Sequence, residues 1–390
     1  MSKVPENWTV LPLKEVAEQF IVPMRDKPKK FSGETPWIRI EDFDGKYIKR
    51  SKTGQCVDES TIENMKLKIY PKGTVLCSCS ATLGICAIVQ EPLISNQTFI
   101  GIVPNEKRIT SDFLFYLLKS KADELQKIST GTTIAYLPRE KFESFEVHVP
   151  PLSEQKKIAK ILNHLDKLII QLEKKKKWQI NVFSALLADV FLSNNKTISK
   201  VKIGDICKVK RGASPRPIQS SKWWGNGRGW TRISDVTNSH KYLLKTKDNL
   251  SLEGEKRSVP IDSGDLILSI CATIGLPIIV KTPICIHDGF VWFEGLKEYL
   301  EVEYAYYFFS TIRSQLLQGS QTGTQGNLNT SIVSDIEIPL RSINEQKRII
   351  SILSSTDNNI SMTSKKIDKY KNLNRSLLNN LISGRKRVNI

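Results

Sequence analysis

The chain repeats itself at a distance of 191 residues, and this repeat constrains the fold more than any other feature. The matches fall in one register: Gly73 with Gly264, Ser78 with Ser269, Gly84 with Gly275, Phe99 with Phe290, Tyr116 with Tyr307, and Leu137 with Leu328. A Trp-x-Arg-Ile-x-Asp element recurs at a shift of 193, at Trp37 and again at Trp230. These matches predict a tandem duplication in which both copies fold alike.

Each copy ends in a long apolar-striped segment that predicts a helix, at residues 153–192 and 344–383. Neither segment contains proline or glycine, and apolar residues recur every three or four positions, as on one helical face. Ser153 and Asn344 are the predicted N-caps, and Gly384 the predicted C-terminal stop. A forty-residue helix is about 60 Å long, so each helix needs a partner along its length.

The first part of each copy predicts mixed α and β structure. Short apolar runs at 75–78 and 85–89 flank a glycine turn, as 266–269 and 276–280 do in the second copy. Residues 111–127 and 303–317 predict helices, and 145–149 and 336–340 predict closing strands. The expected fold is α+β, with globular α/β domains at 1–150 and 198–341 and long helices at 151–193 and 342–390.

The short linkers predict how the helices run. Helix one is expected to end, and helix two to begin, beside the same globular domain, so two helices that share an apolar seam must be antiparallel and coiled-coil-like. The two near-equal halves are then related by a pseudo-two-fold axis.

The positive charge is concentrated in the helical segments. The chain has 58 Lys and Arg against 40 Asp and Glu, a net charge of +18. Residues 151–200 carry 10 basic and 4 acidic side chains (+6), and residues 341–390 carry 11 and 3 (+8). This pattern favours a polyanionic partner, but it also fits solvated faces of long helices.

Seven cysteines without a disulfide-framework spacing, no apolar signal core and no membrane-length apolar run favour the cytoplasm.

Catalytic signatures are not found in the sequence. It has no phosphate-binding Gly-x-x-x-x-Gly-Lys loop, no dinucleotide Gly-x-Gly-x-x-Gly turn and no Asn/Asp-Pro-Pro-Tyr element. Triplets such as Asp44-x-Lys46 are common in a lysine-rich chain. Cys77, Cys79 and Cys86 admit a zinc interpretation, but their counterparts Leu268, Ile270 and Pro277 favour buried strand residues.

A basic and aromatic segment at 211–232 predicts contacts with nucleic acid, because arginine bonds guanine edges and phosphates. Its shorter counterpart at 25–39 is lysine-rich. The predicted contacts in these two segments are Arg211, Arg216, Lys222, Arg228, Arg25, Lys29 and Lys30. Trp37 and Trp230, which repeat, are instead predicted to be core anchors.

Polar, glycine-flanked loops follow the predicted helices, and their Gln, Asn and Thr side chains can bond bases or phosphates, although such loops can also be plain surface turns. The candidate residues in and after these loops are Thr132, Thr133, Arg139, Gln321, Thr324, Gln325 and Asn327.

Taken with the order domain–helix–domain–helix, several motifs resemble one family, the specificity subunit of type I restriction-modification systems. They are Pro-Leu-Ser-Glu-Gln at 151–155, Asn-Glu-Gln at 344–346, Thr-Gly-Thr-Gln-x-Asn-Leu at 322–328 and the Trp-x-Arg-Ile-x-Asp elements. Copy one departs from the pattern, because Tyr136-Leu137 stands where the second copy has Leu328, and it lacks Gln-x-Asn.

The resemblance implies two target-recognition domains that read the halves of a bipartite site on double-stranded DNA, separated by spacer helices. It implies docking of two methyltransferase subunits, with Glu154, Gln155, Glu345 and Gln346 as the predicted docking residues, and docking of restriction (translocase-nuclease) subunits. It also implies that this chain is not an enzyme and has no cofactor or metal. S-adenosylmethionine, Mg and ATP would belong to the partners. The alternatives are a tandem-repeat scaffold and a self-sufficient methyltransferase or nuclease.

Overall fold

In the computed structural model, the chain divides into two compact units. Unit 1 comprises Met1–Glu173 and Lys366–Ile390, and unit 2 comprises Lys174–Lys365. The structure describes residues 5–23, 27–79, 84–129, 137–193, 198–321 and 328–388, without the side chains of 319–321. Each unit therefore contains one mixed α/β part together with portions of both long helices.

The described residues up to the end of the first long helix form these strands and helices: β1 (Thr9–Pro12), α1 (Leu13–Val16), β2 (Ala17–Ile21), β3 (Thr35–Ile38), β4 (Tyr47–Ile48), β5 (Cys56–Val57), α2 (Glu59–Asn64), β6 (Val75–Ser78), β7 (Cys86–Val89), β8 (Ile94–Ser95), β9 (Phe99–Pro104), α3 (Ser111–Ser120), α4 (Ala122–Lys127), α5 (Arg139–Glu143), β10 (Glu146–Val149) and α6 (Leu152–Leu192).

The second repeat follows with β11 (Lys200–Lys202), α7 (Ile203–Ile206), β12 (Lys208–Arg211), β13 (Trp224–Thr231), α8 (Ile233–Thr237), β14 (Tyr242–Leu243), β15 (Asp248–Leu250), α9 (Leu252–Glu255), β16 (Val259–Ile261), β17 (Leu266–Ser269), β18 (Pro277–Val280), β19 (Ile284–Ile286), β20 (Phe290–Glu294), α10 (Val302–Gln321), α11 (Thr330–Ser334), β21 (Glu337–Pro339) and α12 (Ile343–Ile382). Short 3-10 turns lie at Ile40–Asp42, Ser221–Trp223 and Leu296–Glu298.

The sheets confirm the tandem repeat. In unit 1 the main sheet has the strand order β2-β9-β6-β7-β4, and in unit 2 the order is β12-β20-β17-β18-β14. In both sheets the last strand pairs parallel to its neighbour and the other pairs are antiparallel. A second sheet, β5-β3-β8, matches β15-β13-β19, to which β16 is added. The two mixed α/β parts therefore share one topology.

The long helices begin one residue earlier than predicted, and this changes their caps. Because Leu152 and Ile343 are already helical, Ser153 and Asn344 lie inside the first turn, so the prediction that they are N-caps is wrong. The Ser342 hydroxyl caps α12 by accepting from the Glu345 amide at 3.3 Å. Gly384 ends α12 with a φ of +74°, as predicted.

Within each unit, the two long helices share an apolar core with the adjacent mixed α/β part. In unit 1, Ile158 and Leu162 near the start of α6 pack in the same cluster as Leu381 near the end of α12. In unit 2, Phe191 at the end of α6 shares a cluster with Leu353 near the start of α12. The start of each helix thus meets the end of the other, which confirms that α6 and α12 are antiparallel.

Candidate nucleic-acid interface

The arginine-rich segment of unit 2 is organised by the loop between β19 and β20. Arg211, the last residue of β12, donates from Nε to the Asp288 carbonyl oxygen at 2.7 Å. The Arg216 guanidinium lies 3.1 Å from the Asp288 carboxylate, and its side chain is 72% exposed. Ser214 donates to the same carboxylate at 2.9 Å. Asp288 therefore gathers two predicted contact residues and leaves the Arg216 side chain open to solvent.

Electrostatics keeps Asp288 ionised. Burial raises the pKa of its carboxyl, but the hydrogen bond from Ser214 and the positive charge of Arg216 outweigh burial, so the pKa is lowered overall. The neighbouring His287 packs against Trp230 and Phe290, with ring centroids 5.8 and 4.8 Å away. Burial lowers the pKa of His287, so the ring is neutral near pH 7. Neither Asp288 nor His287 is among the site residues predicted from the sequence.

The side chains of Lys222 and Arg228 are restrained by more neighbouring groups than the side chain of Arg216. The Lys222 ammonium lies 4.1 Å from the centroid of the Trp223 ring and 3.7 Å from a Glu253 carboxylate oxygen. Arg228 donates to the Asp262 carboxylate at 2.8 Å and to the Ile261 carbonyl at 3.2 Å. That hydrogen bond to Asp262 raises the pKa of Arg228. A phosphate that engages Arg228 must compete with Asp262.

In unit 1, the predicted contact cations that the structure describes are exposed. Lys29 and Lys30 are exposed. Arg139, the first residue of α5, is 55% exposed and pairs with Glu143 at 2.5 Å. The other predicted contacts of this repeat, Arg25, Thr132 and Thr133, lie outside the described residues.

The polar loop of unit 2 begins where α10 ends. Gln321 is the last residue of that helix. Thr324, Gln325 and Asn327 lie outside the described residues, so their roles as base contacts stay predictions. The repeated tryptophans behave as predicted: Trp37 and Trp230 are 1% and 3% exposed and act as core anchors.

Gln155 and Gln346 hold each mixed α/β part to the start of its long helix. Gln155 donates to the carbonyls of Arg108 at 2.8 Å and Pro150 at 2.9 Å, and accepts from the Thr110 amide at 2.9 Å. Gln346 donates to the carbonyls of Tyr299 and Arg341 and accepts from the Glu301 amide. Both side chains are fully buried.

The prediction that these side chains dock a partner is therefore corrected for three of four residues. Glu154 is also fully buried, where it accepts from Trp8 Nε1 at 3.0 Å and pairs with Arg387. Its hydrogen bonds, like those of Gln155 and Gln346, are used inside unit 1 or unit 2. Of the four, Glu345 alone is exposed, and it bonds Ser342. A docking role of Glu345 therefore stays a prediction.

A family profile described as "Type I restriction modification DNA specificity domain" matches this chain twice, at residues 5–182 and 195–372. The chain belongs to this type I specificity family. Each match covers one mixed α/β part and a stretch of the long helix that follows it, which is the repeat unit seen in the sheets.

Curated relatives of this specificity-family chain are named as specificity subunits of type I restriction enzymes. The MjaVIII specificity subunit of Methanocaldococcus jannaschii is 24% identical over 99% of this chain and 94% of its own length. The MjaIX specificity subunit of the same organism is 30% identical over 55% of each chain, so the match spans about half of that relative.

Solved structures show the fold of the family chain over its whole length. The type I S subunit from M. genitalium matches with a TM-score of 0.62 at 12% identity, covering 98% of this chain and 97% of that one. A chain from a structure on complex assembly and conformational transition of the type I system matches with a TM-score of 0.61 at 19% identity, over 99% and 100%.

The described part of the specificity-family chain contains no group of three or more His, Cys, Asp and Glu side chains that could hold a metal ion. Cys77 and Cys86 face each other across β6 and β7 as buried residues, in line with the strand interpretation. Among the helices so described, none is both long and apolar enough to cross a membrane.

Proposed function

We propose that this chain is the DNA-recognition subunit of a type I restriction-modification complex and reads a bipartite site with a spacer of fixed length. The observation that carries the proposal is the tandem family match on two mixed α/β parts of one topology. Two copies of one domain joined by paired helices suit two half-sites on one duplex. Exposed Lys29, Lys30, Arg211 and Arg216 supply cations for phosphates and bases.

In this proposal the chemistry belongs to other subunits. Two methyltransferase subunits would bring S-adenosylmethionine, and restriction subunits would bring ATP and Mg-dependent translocation and cleavage. The lack of recognisable catalytic motifs in the sequence supports this division. The exposed basic faces of α6 and α12 would contact the DNA of the spacer, the methyltransferase subunits, or both.

Methylome sequencing tests the proposal. The full chain is expressed with its cognate methyltransferase subunit in a host free of the system, and methylated adenines or cytosines are mapped. One motif with a gap of constant length is expected. An ungapped motif, or no motif in the presence of folded complex, contradicts the proposal. The purified chain alone, incubated with DNA, S-adenosylmethionine and Mg, is expected to leave the DNA unmodified and uncut.

The spacer role of the helices has its own test. Deleting residues 171–177 from α6 and 363–369 from α12 removes matched heptads, in the register indicated by the Glu173–Lys371 and Lys176–Ser364 contacts. Seven residues are about 10 Å of helix, or about three base-pair steps of ~3.4 Å. A correspondingly shorter gap is expected. An unchanged gap contradicts the spacer role.

A further inference from the structure

Each unit buries one lysine at the junction between its mixed α/β part and its long helix. Lys46 and Lys241 each precede a tyrosine that starts an edge strand, β4 or β14. Both side chains are only 8% exposed. A buried lysine is unusual, because removing an ammonium from water is costly unless the charge is paired and bonded. The two lysines therefore call for an explanation beyond surface charge.

In unit 1, Lys46 bonds two other elements at once. Its ammonium lies 2.7 Å from the Asp112 carboxylate on α3 and 2.5 Å from Asn163 Oδ1 on α6. It also lies 4.4 Å from the centroid of the Tyr116 ring. The Tyr116 hydroxyl in turn donates to Asp166 on α6 at 2.7 Å. One lysine thus ties the strand edge and α3 to the long helix.

The same junction is present in unit 2, at the positions that are equivalent in the repeat. The Lys241 ammonium lies 2.7 Å from Glu303 on α10, 3.2 Å from the Tyr307 hydroxyl and 3.1 Å from Ser354 Oγ on α12. Glu303, Tyr307 and Ser354 stand 191 residues after Asp112, Tyr116 and Asn163. The residue types differ at two of these three positions, yet the lysine contacts all three positions in both units.

Such a cluster fixes geometry more than it adds stability. Replacing a buried ion pair by apolar groups of similar size is often neutral or stabilising, whereas a bonded polar network admits few relative orientations of the elements it joins. Burial lowers the pKa of Lys46 although the hydrogen bond and charge of Asp112 oppose this shift, which shows that desolvation is substantial. The repeated burial of this charge therefore points to a role in orientation.

We propose that Lys46 and Lys241 are positioning residues that set the orientation of each recognition domain on its spacer helix, and so restrict the gap length that the complex accepts. This inference rests on the proposed function. If each domain is held at one angle, half-sites one base pair nearer or farther fall out of reach. If the charges of the lysine cluster are removed, the complex should also accept sites whose gap is one base pair longer or shorter.

The test compares paired, charge-free variants with wild type in the complex with methyltransferase. Removing a lysine alone would leave a partly buried carboxylate without its cation, so the variants are Lys46→Met with Asp112→Asn, and Lys241→Met with Glu303→Gln. Lys245→Met, which changes an exposed lysine near Lys241, is the matched control. The readout is the methylated fraction at genomic sites sorted by gap length.

We expect the methylated fraction at gaps one base pair longer or shorter to rise roughly tenfold, the factor that about 1.4 kcal/mol of lost discrimination produces. Lys245→Met should keep the wild-type gap distribution. Lys241→Arg, which retains a cation beside Glu303, should keep most of the discrimination.

An unchanged gap distribution in both folded paired variants overturns the inference while the proposed function stands. Loss of the folded chain in both paired variants, measured by thermal unfolding, also overturns it, because the cluster would then be needed for stability. If wild type itself yields no gapped motif, the proposed function is the part that fails.

Discussion

Glu154 and Glu345 occupy equivalent positions of the two repeats, but their surroundings differ completely. Glu154 is fully buried and bonds Trp8 and Arg387, with Arg387 Nε and the nearer carboxylate oxygen 2.6 Å apart. Glu345 is exposed and accepts from the amide and hydroxyl of Ser342 at 3.0 and 2.7 Å. The same residue is an internal anchor in unit 1 and part of a capping box in unit 2.

A difference directly before the helix contributes to this divergence. Ser342 precedes α12, whereas the equivalent residue before α6 is Pro151. A serine hydroxyl can cap the helix and hold the glutamate three residues later, but proline has neither a hydroxyl nor an amide hydrogen. Glu154 is therefore free to turn inward toward Trp8. Duplication preserved the helix start, and the neighbouring residues then changed what the glutamate does.

The largest expected effect comes from Glu154→Ala, which leaves the Trp8 indole N–H buried without an acceptor and Arg387 without its carboxylate. We expect unit 1 to lose about 3 kcal/mol of stability, as for a charged hydrogen-bonding group removed from a buried site. Amide hydrogen exchange resolves the units: protection should fall at 155–166 and stay unchanged at 346–357.

Glu345→Ala is the matched control for that experiment, and its loss should be clearly smaller and confined to unit 2. Equal losses in the two units would show that the buried and exposed glutamates are energetically alike.

Ser342→Ala removes the hydroxyl that caps α12 and should lower the stability of unit 2 by about 1 kcal/mol. Ser153→Ala is the control, because Ser153 lies within the first turn of α6, and it should change the stability of unit 1 little. Denaturant unfolding followed by hydrogen exchange at the two helix starts measures both. A larger loss for Ser153→Ala would mean that the sequence-based cap assignment was correct after all.

The sequence predicted the long helices to within one residue at their starts, because apolar spacing over forty residues is a strong signal. It also predicted the strands on either side of the Gly84 and Gly275 turns. The helix predicted at 111–127 is instead two helices that meet at Lys121. Local signals were too weak to locate that break.

Side-chain environments were predicted less well, since they depend on residues far apart in the chain. Glu154 meets Arg387, 233 positions away, and Arg216 meets Asp288, 72 positions away. No local spacing reveals such pairs. The Lys46 and Lys241 clusters leave only a partial signal in the sequence: both lysines precede a tyrosine, and their partners lie at positions 191 residues apart. Only burial distinguishes them from the many surface lysines.

The smallest expected effect concerns the cations of the two units. Lys30 is exposed, and among the described residues it has no ion pair, whereas Arg228 is already bonded to Asp262. If both segments contact phosphates, Lys30→Ala should reduce the dependence of DNA affinity on salt by about 0.9 in log–log slope. Arg228→Ala should reduce it less, because DNA binding by Arg228 must first break its bond to Asp262.

The reconstituted complex, titrated on its methylated motif at several salt concentrations, measures both slopes. Asp262→Asn sharpens the test: if the carboxylate restrains Arg228, this variant should bind DNA more tightly, and the added affinity should vanish in the Arg228→Ala background. Equal slopes for Lys30→Ala and Arg228→Ala, with no gain from Asp262→Asn, would show that the ion pair does not limit Arg228. Exposed Lys30 of unit 1 and paired Arg228 of unit 2 would then be equivalent in binding, despite their different surroundings.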